Sequence, residues 1–462
     1  MDALYERYAD KEILAIFEEQ RRYRLWRKLW LALAEEQRAL GISVISEEAL
    51  KQMKKALNKR IDLKKAAEYE RKTRHDVMAH IHLFGDDAPA ARGIIHLSAT
   101  SYDLVDNADL LNIRDALDIL IGRLAFFVKS LRDFALSYSD FVTAAYTHLQ
   151  PAQPTTVGRR AAYALFDFCR DLENLSRFRN ELRFRSIKGA VGTQSSFLIL
   201  FKNDAEKVKE LENRIAKRFG FGKTYTVATQ IYSRKIDSEL LDILASVGVS
   251  AHKFATDVRL LCAFGDFSII MGEEQVGSSA MPHKTNPIWA ERVCALSRYL
   301  FSLSDYARQT AAHNWLERSL DDSAARRIYI PRAFLTADAL IRLSYGTLKS
   351  LRPSKSKTLE ENLPLLIMEP LLILATMRGA DRQKTHSFLK KAASVYRETN
   401  SIELLKSFLK ENPVFENTDL NALLKPDSLI GRAKEQIKAF IEDEVDPLLS
   451  KFKPAEIEPP EV

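Results

Sequence analysis

The segment GEEQVGSSAMPHKTNP, Gly272 to Pro287, places Ser278, Ser279, His283, Lys284 and Asn286 among glycines and prolines and shows no apolar period. It reads as a loop, and a loop carrying hydroxyls, an ammonium and an imidazole can open and close over a reacting molecule. The plainer alternative is a solvated connector rich in turn residues. A second polar set, Arg318, Ser323 and Arg327, lies within one ten-residue stretch, and Ser323 to Arg327 is an i, i+4 step that shares a helix face. His148 adds a side chain whose ordinary pKa, about 6.5, lets it hold or release a proton at neutral pH. His75, His80 and His82 could hold a metal only from one face, and their spacings of five and two do not provide one. With no cysteine near them a zinc site is not expected, nor is any organic cofactor.

Such groups need a rigid frame. The clearest periodic signal runs Leu110, Ile113, Leu117, Leu120, Leu124, Phe127, Leu131, Phe134, a strict alternation of three- and four-residue steps. This is the apolar seam of a long helix packed at a shallow angle. Val157 to Leu182 and Ile236 to Leu261 repeat it, each about 40 Å long at 1.5 Å per residue. A fourth helix is predicted to begin at Pro287 and a fifth to run from Ala324 to Leu348. The expected fold is all-α with three helical domains: residues 1–101, with shorter amphipathic helices such as Lys11 to Leu40 and Ser46 to Leu57; residues 102–353, a central long-helix bundle carrying the Gly272–Pro287 loop; and residues 354–462, a helical cap beyond the proline-marked boundary SLRPSKSKTLEENLP.

Composition agrees with this frame. The chain has 462 residues, 46% hydrophobic and 28% charged, which excludes a small module and general disorder. Glycine and proline total about 7%, against roughly 12% in average usage, too few for a turn-rich β fold. The net charge of +7 comes from basic residues interleaved with acids, unlike the one-sided stripe of a nucleic-acid footprint. Three scattered cysteines and a charged N-terminus, MDALYERYADKE, predict a cytoplasmic chain without a disulfide framework or export signal. The most apolar stretch, Leu363 to Met377, is too short to span a bilayer.

GSSAMPHKTNP, Gly277 to Pro287, resembles the signature loop of the fumarase/aspartase superfamily at every fixed position. TRHDVMAH (Thr73–His80), IIHLSATSYDLVDNADL (Ile94–Leu110), THLQPAQPTTVGRRAA (Thr147–Ala162), KGAVGTQSSF (Lys188–Phe197), TQIYSRKID (Thr229–Asp237) and WLERSLDDSAARR (Trp315–Arg327) are similar to the adenylosuccinate lyases within it. The resemblance runs from Arg7 to about Leu449. It implies a cofactor-free homotetramer whose core gathers twenty helices, with purine nucleotide substrates and active sites shared between subunits. It also implies β-elimination of fumarate from adenylosuccinate, giving AMP, and from the earlier purine intermediate SAICAR, giving AICAR. The alternatives are another member of the superfamily, such as an argininosuccinate lyase, or a helical scaffold that kept the fold and lost the chemistry.

By this resemblance His148 is the general acid and Ser278 the base, the choice of Ser278 over Ser279 resting on resemblance alone. A hydroxyl is almost never ionised at neutral pH, so Ser278 needs help from a cation such as Lys284 or from loop amides. Lys284 also meets a substrate carboxylate, and Glu291 orients and charges His148. Arg318, Ser323 and Arg327 become a phosphate grip. Arg7, Tyr8, Arg74, His75 and Asp76 join the nucleotide site; Thr100, Ser101 and Gln230 meet the succinyl or purine part; and Asn286 and Arg292 complete the set. Ser98 stands where many relatives carry glycine, and Thr285 and Trp289 where they often carry basic residues.

Overall fold

The computed structural model describes residues 2–270, 280–281 and 283–460. Five long helices form its rod: Tyr102–Ser137, Val157–Glu181, Lys235–Ala263, Ile288–Ala312 and Asp321–Ser350. The seam of the first is buried from Leu110 to Leu131, and only Phe134, near its end, is half-exposed. Where the first three helices cross, Phe127 meets Phe168 edge-on with ring centroids 4.8 Å apart, and both touch Phe254. Each fully buried phenylalanine contributes about 1.5–3 kcal/mol. The seams were legible because a buried stripe on a long helix must recur every three or four residues.

The rod helices alternate in direction. Tyr102 and Arg234, which begin the first and third, meet at one end, where Asp106 binds Arg234 at 2.9 Å. At the other end the third helix leads into the strand Phe267–Ile269, which pairs antiparallel with Leu351–Pro353 after the fifth helix. We call these the ionic end and the hairpin end. The hairpin that names the second is Val142–Thr147 with Gln150–Thr156, linking the first two rod helices. No strand is expected there from the sequence: the segment contains two prolines and no Asn-Gly turn.

Smaller cores flank the rod. Trp26, Trp30, Met53 and Phe84 pack with the start of the first rod helix and with Phe184, Phe197 and Tyr232. Leu371, Leu389, Leu405 and Phe415 form a core in the C-terminal part. The helix expected over Lys11 to Leu40 is two, Lys11–Ile16 and Glu19–Ala39; the first ends at Phe17, whose ring packs on Phe334 of the fifth rod helix. Contact with the rod overrides the local helical preference of that segment. Among the described residues no helix is long and apolar enough to cross a membrane.

The ionic end is held by charges taken out of water. Arg185, Arg234 and Arg326 are buried with Asp103, Asp106, Asp237 and Asp322. Arg326 binds Asp237 at 2.7 Å and Asp109 at 2.9 Å, and Arg234 binds Asp322 at 2.7 Å. Desolvation alone would disfavour each ion, but partners on several sides offset it and tie the first, third and fifth rod helices in register.

Candidate active site

His148 occupies the tip of the hairpin. Thr147 pairs with Gln150, so His148 and Leu149 alone make the turn, with φ of 52° and 60°. Positive φ at both central residues is the I′ geometry that asparagine and glycine favour; histidine and leucine hold it at a cost of about 1–2 kcal/mol each. Strain of this kind persists where the surroundings over-determine it. Here the Tyr146 hydroxyl donates to Asp266 at 2.7 Å, its ring lies 4.8 Å from Phe264, and the Val157 and Gly158 amides donate to Phe141 and Tyr138 carbonyls. The imidazole is thus carried, exposed, at the end of a fixed arm.

The described part of the signature loop lies at this same end. Ser278 and Ser279 fall outside the described residues. Lys284 is exposed, with its amide donating to the Met281 carbonyl at 3.0 Å. Asn286 and Arg292 are half-buried around the start of the fourth rod helix, and Glu291 is exposed in its first turn. A carboxylate there is favoured by the helix dipole.

The other proposed residues collect at the ionic end. Arg74, with φ 53°, turns the helix Leu63–Thr73 sharply into Asp76–Asp87, and His75 caps the second helix by accepting from the Met78 amide at 3.4 Å. The other ring nitrogen of His75 lies 3.5 Å from the Ser101 hydroxyl. Asp76 accepts from Arg327 at 2.6 Å, which joins this corner to the Arg318–Arg327 segment. Thr100 donates its amide to Asp103 at 2.8 Å, and Gln230 donates to the Ala190 carbonyl at 3.1 Å. Asp103 also accepts from Arg185, Lys188 and Gly189, so one buried carboxylate ties the Thr100 turn to the 185–189 segment of this site wall.

Within one chain the two groups are far apart. The first rod helix, 36 residues long, separates Ser101 from the hairpin by about 54 Å. Arg7 and Tyr8 sit at neither end: their turn lies on the fifth rod helix, where Arg342 donates to the Tyr8 carbonyl at 3.2 Å and Arg332 binds Asp2.

Three contributors were not foreseen. The Trp30 indole donates to Nδ1 of His96 at 3.0 Å, which leaves the hydrogen of the neutral ring on Nε2. Burial, with His75 adding to it against Asp103, pushes the His96 imidazole down to about 4, so it is neutral at physiological pH. Tyr102 and Asp322 both contact Arg318. Nothing in residue type marks a tryptophan at 30 or a tyrosine at 102 as reaching these partners. Ser98 has φ 62°, a left-handed conformation that glycine would adopt without strain. Among the described residues no group of three or more histidines, cysteines or carboxylates is arranged to hold a metal ion.

The lyase sequence family matches residues 16–300. The chain is 42% identical to the adenylosuccinate lyase of Saccharomyces cerevisiae, over 97% of this chain and 95% of the yeast one. It is 41% identical to that of Schistosoma mansoni and 31% identical to that of Archaeoglobus fulgidus, the latter over 94% of this chain and 96% of the archaeal one. In fold it is similar to the 3-carboxy-cis,cis-muconate lactonizing enzyme of Pseudomonas putida, with TM-score 0.83, 21% identity, and 96% and 99% of the two chains covered. The lyase match over most of the rod, together with near-full-length identity to named enzymes, places the chain in the adenylosuccinate lyase family of the fumarase/aspartase superfamily.

Proposed function

We propose that this chain cleaves adenylosuccinate to AMP and fumarate, and SAICAR to AICAR and fumarate. The observation that carries the reading is identity of 40–42% to adenylosuccinate lyases along 97% of the chain. In the reaction a base takes the proton from the carbon beside a carboxylate. That C–H electron pair becomes the double bond of fumarate, the C–N bond breaks, and an acid protonates the departing nitrogen. His148 is the acid and Ser278 the base; Lys284 meets the carboxylate on which negative charge builds. Arg318, Ser323 and Arg327 hold the phosphate, His75 belongs to the nucleotide site, and Ser101 meets the succinyl or purine part.

These groups cannot meet in one chain, since about 54 Å of helix lies between His148 and Ser101. That separation calls for more than one chain, and the homotetramer that the family resemblance implies would supply it by bringing the hairpin end of one subunit to the ionic end of another. A cytoplasmic setting is supported by the three unpaired thiols. Incubating the purified chain with adenylosuccinate and quantifying products by chromatography tests the reading: AMP and fumarate in equal amounts are expected. Turnover of argininosuccinate with adenylosuccinate untouched would overturn it.

A further inference from the structure

Tyr102, the first residue of the first rod helix, is only 8% exposed and takes no part in the assignments above. Its ring lies under the Arg318 guanidinium, with the central carbon 3.9 Å from the ring centroid. Burial raises the pKa of its hydroxyl, and Ser323 beside that hydroxyl works against the rise. Arg318 is held on another side by Asp322, which also accepts from Arg234 at 2.7 Å, and the Arg234 guanidinium lies 6.0 Å from the same tyrosine ring. Tyr102, Arg318, Asp322 and Arg234 thus close a ring of contacts. Nη2 of Arg318 is buried and has no hydrogen-bond partner among the described residues, so one face of the fork remains ready for an anion.

We propose that Tyr102 is the positioning residue for phosphate recognition: its ring sets the plane of Arg318 while its hydroxyl sets Ser323. The proposal rests on the assignment of Arg318 and Ser323 to the phosphate grip. One side chain then organises two groups that lie more than two hundred positions away in sequence. Because Tyr102 follows Thr100 and Ser101, the phosphate grip is also tied to the segment that borders the succinyl group. An arginine stacked on an aromatic face and hydrogen-bonded through one nitrogen to a carboxylate has lost its rotamer freedom before ligand arrives, and preorganisation of this kind strengthens binding without touching the reacting bond.

The test compares Tyr102→Leu, Tyr102→Phe, Arg318→Ala and Tyr102→Leu/Arg318→Ala by calorimetric AMP binding and by KM and kcat on adenylosuccinate. Losing the stack and the hydroxyl is expected to weaken AMP binding and raise KM about tenfold with kcat within about threefold. Tyr102→Phe, which keeps the ring, is expected to raise KM about threefold, an effect absent in a Ser323→Ala background; it carries the test should the leucine variant fold poorly. The double variant should bind AMP at most about threefold more weakly than Arg318→Ala alone, the share carried through Ser323. Unchanged AMP affinity in Tyr102→Leu, or an equal loss with and without Arg318, overturns the proposal. If Arg318→Ala itself binds AMP normally, the phosphate-grip assignment fails, and the proposal with it.

Discussion

At the scale of single residues, chemistry was legible where a side chain is rare and its neighbours are polar. His148 stands out in THLQPAQ because an imidazole can exchange a proton at neutral pH. Its presentation on a strained two-residue turn was not legible, since nothing in His-Leu signals positive φ. If His148 is the acid, His148→Ala loses at least about 10²-fold in kcat while AMP still binds; near-normal turnover in stopped assays would remove the assignment. His80 gives a second test. It is 4% exposed, stacked 3.7 Å from the Tyr23 ring, and burial, with the Arg27 guanidinium adding to it, pushes its imidazole down to about 4. The unfolded chain binds a proton that the folded chain refuses, so this residue's contribution is full above about pH 6.5 and is lost as pH falls toward 4. Urea unfolding should show the stability gap between wild type and His80→Gln shrinking by about 2–3 kcal/mol from about pH 7 to about pH 4.5. A gap constant with pH would mean His80 is not held neutral.

At the scale of elements, periodicity revealed the rod but not the devices that join it. The hairpin escaped notice because its prolines and missing turn signal argue against strands, yet it is fixed from outside by Tyr146, Asp266 and the start of the second rod helix. Gly158 is central to that junction. A Cβ there would lie 2.3 Å from the Ala135 carbonyl oxygen, so Gly158→Ala forces the hairpin base off the first rod helix and should cost about 1–3 kcal/mol in urea unfolding. The ionic end was equally hidden, because a buried aspartate looks like a surface one in sequence. Asp106 accepts from Arg234, Arg326 and the Tyr232 amide. Replacing it with alanine takes one carboxylate from each of two buried guanidinium groups, which keep Asp322 and Asp237, and leaves the Tyr232 amide unpaired; it should destabilise by about 3–5 kcal/mol, and a loss below about 1 kcal/mol would mean that water reaches this network.

For the whole molecule, the sequence identified which segments belong to one reaction but not how far apart a single chain holds them. That distance follows from 36 residues of unbroken helix, and on the proposed residue roles it makes assembly a chemical requirement. Symmetric oligomers solve the problem by packing antiparallel rods so that unlike ends coincide. The central claim, which the family resemblance implies, is that an acid at residue 148 and a base at residue 278 act on one substrate from two different subunits, although the hairpin and the described part of the signature loop lie at the same end of each chain. The direct measurement is adenylosuccinate cleavage by a refolded mixture of His148→Ala and Ser278→Ala subunits, each inactive alone but fully assembled. With random reassortment about a quarter of the sites regain both groups, so activity should return to roughly a quarter of wild type. An inert mixture of confirmed hybrid assemblies would contradict shared sites and require both groups to come from one chain.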